Sequence, residues 1–228
     1  LVLGAEFDLG NHVSMNLEGY YKNFQQLFNI NRNKIYNSDP DFIVEKGNAE
    51  GIDLTFKFDW RNFYIWSSYS FAYVNRYYEG LDDELHHYYP HYDRRHNLNI
   101  VGVYKFGSNH NWETSVRWNF GSGLPFTQNQ GFYEHINFSN GINTNYTTAN
   151  GELDLILGEL NQGRLPNYMR LDADIKRTFF LSERSVLEVN FSLTNIFNRE
   201  NVFYVNRYSK EVIYQLPIMP ALGLSLTF

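Results

Sequence analysis

The sequence of 228 residues contains no cysteine, which excludes disulfide bonds and thiolate metal sites. It also lacks any run near the roughly 20 apolar residues that a membrane-spanning helix requires, so a helical membrane protein is excluded. Acidic residues outnumber basic ones by 25 to 19, and the formal net charge of −6 argues against a nucleic-acid partner. The chain starts "LVLGAEFDLG" without an initiator Met or a signal peptide, so we expect a fragment or a processed piece.

Aromatic residues, in contrast, are abundant. They make up 18% of the chain, with 18 Tyr and 19 Phe, yet the mean hydropathy is only −0.46. Strands that alternate polar and apolar residues would produce this combination, because the two kinds of position cancel in the average.

Alternation with a period of two is the dominant pattern along the chain. In "GIDLTFKFDW", the apolar residues Leu54 and Phe56 alternate with polar residues such as Asp53. The pattern predicts about nine strands, longer than the usual five or six residues, and no amphipathic helix. The predicted strands are residues 1–9, 12–30, 51–60, 63–78, 96–107, 112–120, 169–176, 187–195 and 212–228.

The connections alternate strictly between short and long. Short turns are predicted near 10–11, 61–62, 108–111 and 181–184, and long loops near 31–47, 79–95, 129–164 and 199–211. In an antiparallel meander this places all short turns at one end of the sheet. Outer-membrane barrels have short periplasmic turns and long extracellular loops, so the pattern favours a transmembrane antiparallel β-barrel.

A lipocalin-like barrel or a β-sandwich also alternates, with its apolar face inward. Two features favour the membrane barrel over these soluble folds: charged residues follow one another closely along the strand at 169–176, and aromatics are concentrated at strand ends. The chain also ends on Phe228 in "PALGLSLTF", a position suited to the interfacial aromatic belt. Because bacterial single-chain barrels have even strand numbers, nine strands predict further strands elsewhere.

Six segments together resemble a known family. In order along the chain they are "MNLEGYYKNFQQL", "GNAEGIDLTFKF", "YPHYDRRHNLNIVGVYKF", "GSGLPFTQ", "LPNYMRLDADIKRTF" and "LEVNFSLTNIFNREN". They resemble the C-terminal barrel strands of TonB-dependent outer-membrane receptors, in a style similar to receptors from the Bacteroidetes. The terminal Phe228 also resembles the signal by which the barrel assembly machinery recognises its clients.

The resemblance implies that residues 1–228 are about the last nine strands of a 22-stranded barrel, with no plug domain or TonB box in this chain. It implies import of a nutrient such as a siderophore, glycan or peptide across the outer membrane. The implied partners are outer-membrane lipid, the plug and remaining strands, the TonB complex and a surface lipoprotein. The alternative is a structural barrel subunit of a larger outer-membrane assembly, without transport activity. No cofactor is expected.

The segment "HHYYPHYDRRH" contains four of the seven histidines. Imidazole and carboxylate groups could bind Zn or Cu, but the part from Asp93 to His96 resembles a strand-entry element of the family, which favours a structural role there. We therefore assign no metal site. As candidate substrate-binding residues on this extracellular loop we name His86, His87, Tyr88, Tyr89 and His91.

The loop 129–164 is rich in Asn, Gly and Thr. Long loops are often functional, and Phe132, Tyr133 and Tyr146 are further candidates for substrate contact, because aromatic and amide groups suit sugars and peptides alike. Its "NFS" and "NYT" glycosylation patterns are interpreted as chance.

Inward-facing charges carry both signs, which predicts a wet lumen wall whose charges pair across strands and contact the plug. An enzyme needs a nucleophile or an activated water beside His and Asp; Asp93 with His91 or His96 is the only candidate pair, and no serine motif accompanies it. We expect no catalytic residues. The inward charges are Glu18, Lys22, Asp53, Lys57, Asp59, Glu113, Arg117, Arg170, Asp172, Asp174, Lys176 and Glu188.

Overall fold

The computed structural model describes residues 1–31, 34, 37–80, 84–135 and 152–228. Within these ranges a 3-10 turn covers Ser108–His110, and no helix is long and apolar enough to cross a membrane. The strands are β1 (Val2–Leu9), β2 (Val13–Ile30), β3 (Phe42–Trp60), β4 (Phe63–Glu79), β5 (Leu85–Tyr88), β6 (His96–Phe106), β7 (Trp112–Gly121), β8 (Pro125–Phe126), β9 (Asn129–His135), β10 (Glu152–Leu157), β11 (Gly163–Arg164), β12 (Tyr168–Phe180), β13 (Val186–Thr194), β14 (Val202–Val205), β15 (Val212–Tyr214) and β16 (Met219–Thr227).

Nine of these strands form one antiparallel meander, in the order β1-β2-β3-β4-β6-β7-β12-β13-β16. The short strand β5 pairs with the C-terminal end of β4. Each strand lies beside its predecessor in this series, which confirms the nine predicted strands. The four short turns lie where the sequence predicts them. Gly10 and Arg61 adopt φ angles of 68° and 55°, the left-handed conformation that tight turns between strands need.

Because of the register between its strands, the sheet has one apolar face that extends across all nine of them. Phe56, for example, lies opposite Met15 on β2 and Ser67 on β4, and the same row alignment continues to β16. Because side chains alternate along a strand, this register collects the apolar residues on one side, which we call the apolar face. It includes Phe7, Leu17, Leu54, Ile65, Ile100, Val116, Trp118, Leu171, Ile175, Val189, Phe191, Leu222 and Leu224.

No second layer of structure covers the apolar face in the described part of the chain. Phe191 is 42% exposed and Leu224 is 70% exposed, and Tyr88 is the only large hydrophobic side chain that is buried among the described residues. A soluble β-sandwich buries such a face against another sheet. An apolar band open to lipid is instead the pattern of an outer-membrane barrel wall.

The predicted last strand, residues 212–228, is wrong in one respect, because it is two strands. Val212–Tyr214 form β15, which pairs with β14, and Met219–Thr227 form β16. The break has a physical cause. Pro217 has no N–H for a ladder hydrogen bond, and side chains from another turn bind the neighbouring backbone: Asn195 donates to the Leu216 carbonyl at 3.0 Å, and Asn198 accepts from the Ile218 N–H at 2.9 Å.

The long connections are shorter or more ordered than the sequence predicts. β3 already begins at Phe42, inside the predicted loop 31–47. The predicted loop 129–164 contains β9 and β10, which form a hairpin, and β11, which pairs with β8. Strands β8 to β11 therefore continue the β7–β12 hairpin beyond the nine-strand sheet, and we call these four strands the hairpin extension.

Candidate functional site

The polar face of the sheet, opposite the apolar face, contains a concavity of about 500 Å³. Alternate positions of β6, β7 and β12 point into it, together with Arg94 from the segment before β6. Its polar lining includes Arg94, Asn97, Asn99, Arg117, Asn119, Tyr168, Arg170 and Asp172.

One arginine of this concavity is neutralised locally. Arg170 donates from Nε at 2.8 Å and from Nη2 at 2.7 Å to the two oxygens of Asp172, a fork geometry typical of strong Arg–carboxylate pairs. Asp172 also accepts from the Asn195 N–H at 2.9 Å. The pair joins β12 to the turn that follows β13.

Two other arginines, Arg94 and Arg117, make the lining net positive, and Arg117 lies directly opposite Asp172 in the register of β7 and β12. Among the described residues, neither the Arg94 nor the Arg117 side chain makes a hydrogen bond or a close ion pair. Arg94 lies 5.7 Å from the centre of the Tyr168 ring, and it lies against Gly121, where an added Cβ would collide with its guanidinium. Burial lowers the pKa of Arg94, and Tyr168 partly opposes this; an arginine nevertheless stays charged in proteins. The concavity therefore favours anionic groups.

The inward charges also pair across strands, as the sequence predicts for a lumen wall. Glu113 on β7 lies 3.2 Å from Lys176 on β12 and 3.5 Å from Lys105 on β6. The Arg170–Asp172 pair differs, since its two residues lie on the same strand.

At the end of the sheet with the long loops, Asp93 joins the segment before β6 to the hairpin extension. Its carboxylate is 0% exposed and accepts hydrogen bonds from the Val74 N–H, from Arg95 Nε and from Arg164 Nη2. Burial lowers the pKa of Arg95, but hydrogen bonding to Asp93 and its charge outweigh this and raise it. Asp93 is thus a structural anchor, which supports the structural role inferred for the Asp93–His96 segment.

Tyr89 packs in the same cluster. Arg95 stacks over the Tyr89 ring at 4.5 Å and over the Tyr73 ring at 4.1 Å, and Asn161 donates to the Tyr89 carbonyl at 2.8 Å. Arg164 lies 5.8 Å from the centre of the same ring, so this predicted substrate-binding residue contacts two arginines and is only partly exposed.

Tyr88 belongs to a second buried cluster. Its hydroxyl donates to Glu45 at 2.7 Å and accepts from Asn29 at 2.8 Å. Glu45 is 1% exposed and pairs with Arg76 at 3.1 Å. A buried charge of this kind persists only when it is paired and hydrogen-bonded. The cluster therefore joins β2, β3, β4 and β5 at the end of the sheet that has the long loops.

The three candidate histidines lie apart. His86 stacks on Tyr78 at 5.3 Å, and His87 contacts Asn75 at 2.9 Å; as neighbours on β5, they point to opposite sides. His91 instead lines a concavity of about 530 Å³ with Thr127, Glu159, Asn161 and Arg207, among others. No group of three or more possible metal ligands comes together in the described ranges.

Of the remaining candidates, Phe132 and Tyr133 lie on β9, and Phe228 ends the chain. Lys210 lies 5.0 Å from the centre of the Phe132 ring. Tyr133 donates to Asp154 at 3.1 Å, and this hydrogen bond raises the pKa of the phenol. Tyr146 lies outside the described residues. Phe228, just beyond β16, is 92% exposed.

Sequence reasoning missed Arg94, Tyr168 and Arg164 as members of these sites. Arg164 contacts Asp93 across 71 positions, and no local pattern indicates that pairing. Tyr168 and Arg94 could be found only from the register of β6, β7 and β12.

Known proteins similar to this chain are found among solved structures. No protein-family model matches it, and no curated protein matches its sequence. Among solved structures, 100% of the chain matches the ferric-catecholate import receptor Fiu from E. coli K12 with a TM-score of 0.64 at 10% identity. FpvA from P. aeruginosa, solved with a heterologous pyoverdine and iron, matches over 98% with a TM-score of 0.57 at 10% identity. The complex of FpvAI with pyocin S2 matches over 98% with a TM-score of 0.56 at 11% identity.

The chain spans 27% of the Fiu chain and 25% of each of the other two chains. At these identities the similarity establishes the fold. The chain has the fold of a segment of TonB-dependent receptor barrels.

Proposed function

We propose that this chain is the C-terminal part of the barrel of a TonB-dependent outer-membrane receptor that imports a nutrient into the periplasm. The main supporting observation is the nine-strand meander. It matches the import receptor Fiu along its whole length, and it has one apolar and one charged face. In this proposal the apolar face contacts lipid and the polar face lines the lumen. The plug domain, the remaining strands and the TonB complex are its partners.

The polar concavity supports a role for the lumen face in passing an anionic substrate. Arg94 and Arg117 offer guanidinium groups without a hydrogen-bonded carboxylate, next to the amides of Asn99 and Asn119. Guanidinium groups bind carboxylates and phosphates with matched geometry. Siderophores are one candidate class, because Fiu is a ferric-catecholate import receptor and FpvA binds an iron–pyoverdine.

At the extracellular end, the concavity beside His91 supports ligand capture. It lies between the segment before β6, the hairpin extension and Arg207 of the β14–β15 connection. We propose that His91, with Phe132 and Tyr133 of the neighbouring hairpin, forms the first contact surface for substrate, and that Tyr146, from the same connection in the sequence, also contacts it.

The test is uptake by cells that carry the full polypeptide containing this chain. We expect disruption of its gene to abolish growth on one nutrient from a panel of ferric siderophores, glycans and peptides. Dissipating the proton-motive force should abolish the same uptake in unmodified cells. Normal growth on every nutrient, together with loss of another outer-membrane complex, would instead support a structural subunit.

A matched pair of variants tests the lumen role. Arg94→Gln with Arg117→Gln should slow uptake of the identified nutrient, whereas Lys105→Gln, on the same face but outside the concavity, should leave it unchanged. Equal uptake by both variants at equal surface levels would contradict passage along this part of the wall.

A further inference from the structure

Arg177 occupies a position on the apolar face. It follows Ala173 and Ile175 in the outward row of β12 and lies opposite Trp112 on β7 and Val189 on β13. These three strands are described throughout, and Arg177 is the only charged residue at their apolar-face positions. A charge in this row would face hydrocarbon or the membrane interface.

The Arg177 guanidinium is held between two aromatic rings. It lies 4.8 Å from the centre of the Trp112 ring and 4.4 Å from that of Phe179. Trp112 in turn stacks on Phe106 at 5.9 Å with an interplanar angle of 10°. These contacts fix the plane of the guanidinium without using its N–H groups.

Those N–H groups have no acceptor in the described protein. No hydrogen bond or ion pair from the Arg177 side chain is found there, and its buried Nε has no partner. A charged group near lipid is costly unless it reaches the interface or finds a counter-charge. The buried Nε is closed to a molecule outside the protein, so the two terminal Nη groups of this partly exposed side chain are the donors that need an external acceptor.

The depth of Arg177 indicates where that acceptor lies. Arg177 and Trp112 form the last pair of the β7–β12 ladder, three residues before β12 ends at Phe180. At about 3.3 Å per residue this is roughly 10 Å along the strand from the short-turn end. In an outer-membrane barrel that end faces the periplasm, where an aromatic belt meets the lipid headgroups.

We propose that Arg177, Trp112 and Phe179 form a binding site for the phosphate of a phospholipid in the periplasmic leaflet. The planar fork of arginine suits two phosphate oxygens. The adjoining rings of Trp112 and Phe106 offer an apolar surface to the upper acyl chain. The site depends on the outer-membrane orientation in the proposed function, but not on the import of any substrate.

Native mass spectrometry of the full polypeptide, purified from the outer membrane in detergent, tests the site. Dioleoylphosphatidylglycerol is titrated as the probe, and monogalactosyldiacylglycerol, which has no phosphate, serves as the lipid control. Arg177→Gln should weaken the first phosphatidylglycerol binding step by about tenfold and leave galactolipid binding unchanged. Arg177→Lys should recover part of the affinity.

Lys176→Gln is the matched protein control, because Lys176 lies next to Arg177 on β12 but on the polar face, where it pairs with Glu113. It should bind phosphatidylglycerol like the unmodified protein. Inorganic phosphate at millimolar concentration should not displace the lipid, since the acyl chain contributes to binding; complete displacement would identify a free-phosphate site instead. Equal binding of the two lipids, or equal loss in Lys176→Gln and Arg177→Gln, would overturn the proposal, whether or not the protein imports a nutrient.

Discussion

Arg164 donates hydrogen bonds to both the carboxylate and the main-chain carbonyl of Asp93, which lies 71 positions earlier in the chain. The same guanidinium also donates to the Gly123 carbonyl at 3.0 Å. One side chain thus joins the segment before β6 to both sides of the hairpin extension. Both segments also line the concavity beside His91, together with Tyr78 and Arg207, so this contact helps to fix two of its walls.

Asp93→Ala should therefore loosen the end of the sheet that has the long loops. The change leaves two guanidinium groups and the Val74 N–H without their acceptor, and breaking a buried ion pair costs about 3 kcal/mol. We expect faster cleavage within residues 85–95 and 158–165 in limited proteolysis. His91→Ala is the control, because His91 is exposed and only two positions away; if both variants are cleaved alike, Asp93 is not the anchor.

Tyr88→Phe should destabilise the second buried cluster. Without the hydroxyl, Glu45 loses a 2.7 Å hydrogen bond and Asn29 loses an acceptor, a loss of about 1–3 kcal/mol. The loss should lower the midpoint of urea unfolding in lipid vesicles. Tyr92→Phe, at an exposed ring, should leave that midpoint unchanged, and an unchanged midpoint in Tyr88→Phe would refute the structural role.

The two faces of β13 should respond differently to the same charge. Phe191 lies on the apolar face between Ile175 and Leu222, whereas Ser192 lies on the polar face beside Asp174. Phe191→Arg should cost about 2–4 kcal/mol if the position is near the bilayer midplane, and Ser192→Arg much less. Folding into bilayers measures both, and equal damage would contradict the assignment of the faces.

Replacement of His86, His87 and His91 together by alanine should leave the barrel folded. Their side chains do not converge, since His86 stacks on Tyr78 while His87 contacts Asn75. Growth of cells carrying the triple variant should show the same dependence on Zn and Cu as the parent. Loss of metal-dependent growth, with normal heat-modifiable mobility on gels, would reveal a metal role.

The alternation of residues determined much of the fold without any tertiary information. Polar and apolar positions repeat every two residues in segments such as 51–60 and 112–120, and this period is set by local strand geometry. The same period assigned each residue to a face, and loop length assigned each turn to an end. These features depend only on neighbours in the chain, so the nine-strand meander could be predicted.

Tertiary structure decided which side chains meet. Arg177 stacks on Trp112 because β7 and β12 pair in one register, although a long connection separates them in the chain. The last predicted strand breaks because Asn195 and Asn198 bind the backbone of Leu216 and Ile218, a competition that strand propensity does not include. Asp93 meets Arg164 only once the hairpin extension folds back. Such contacts depend on register and on the paths of the connections, which a local period of two leaves open.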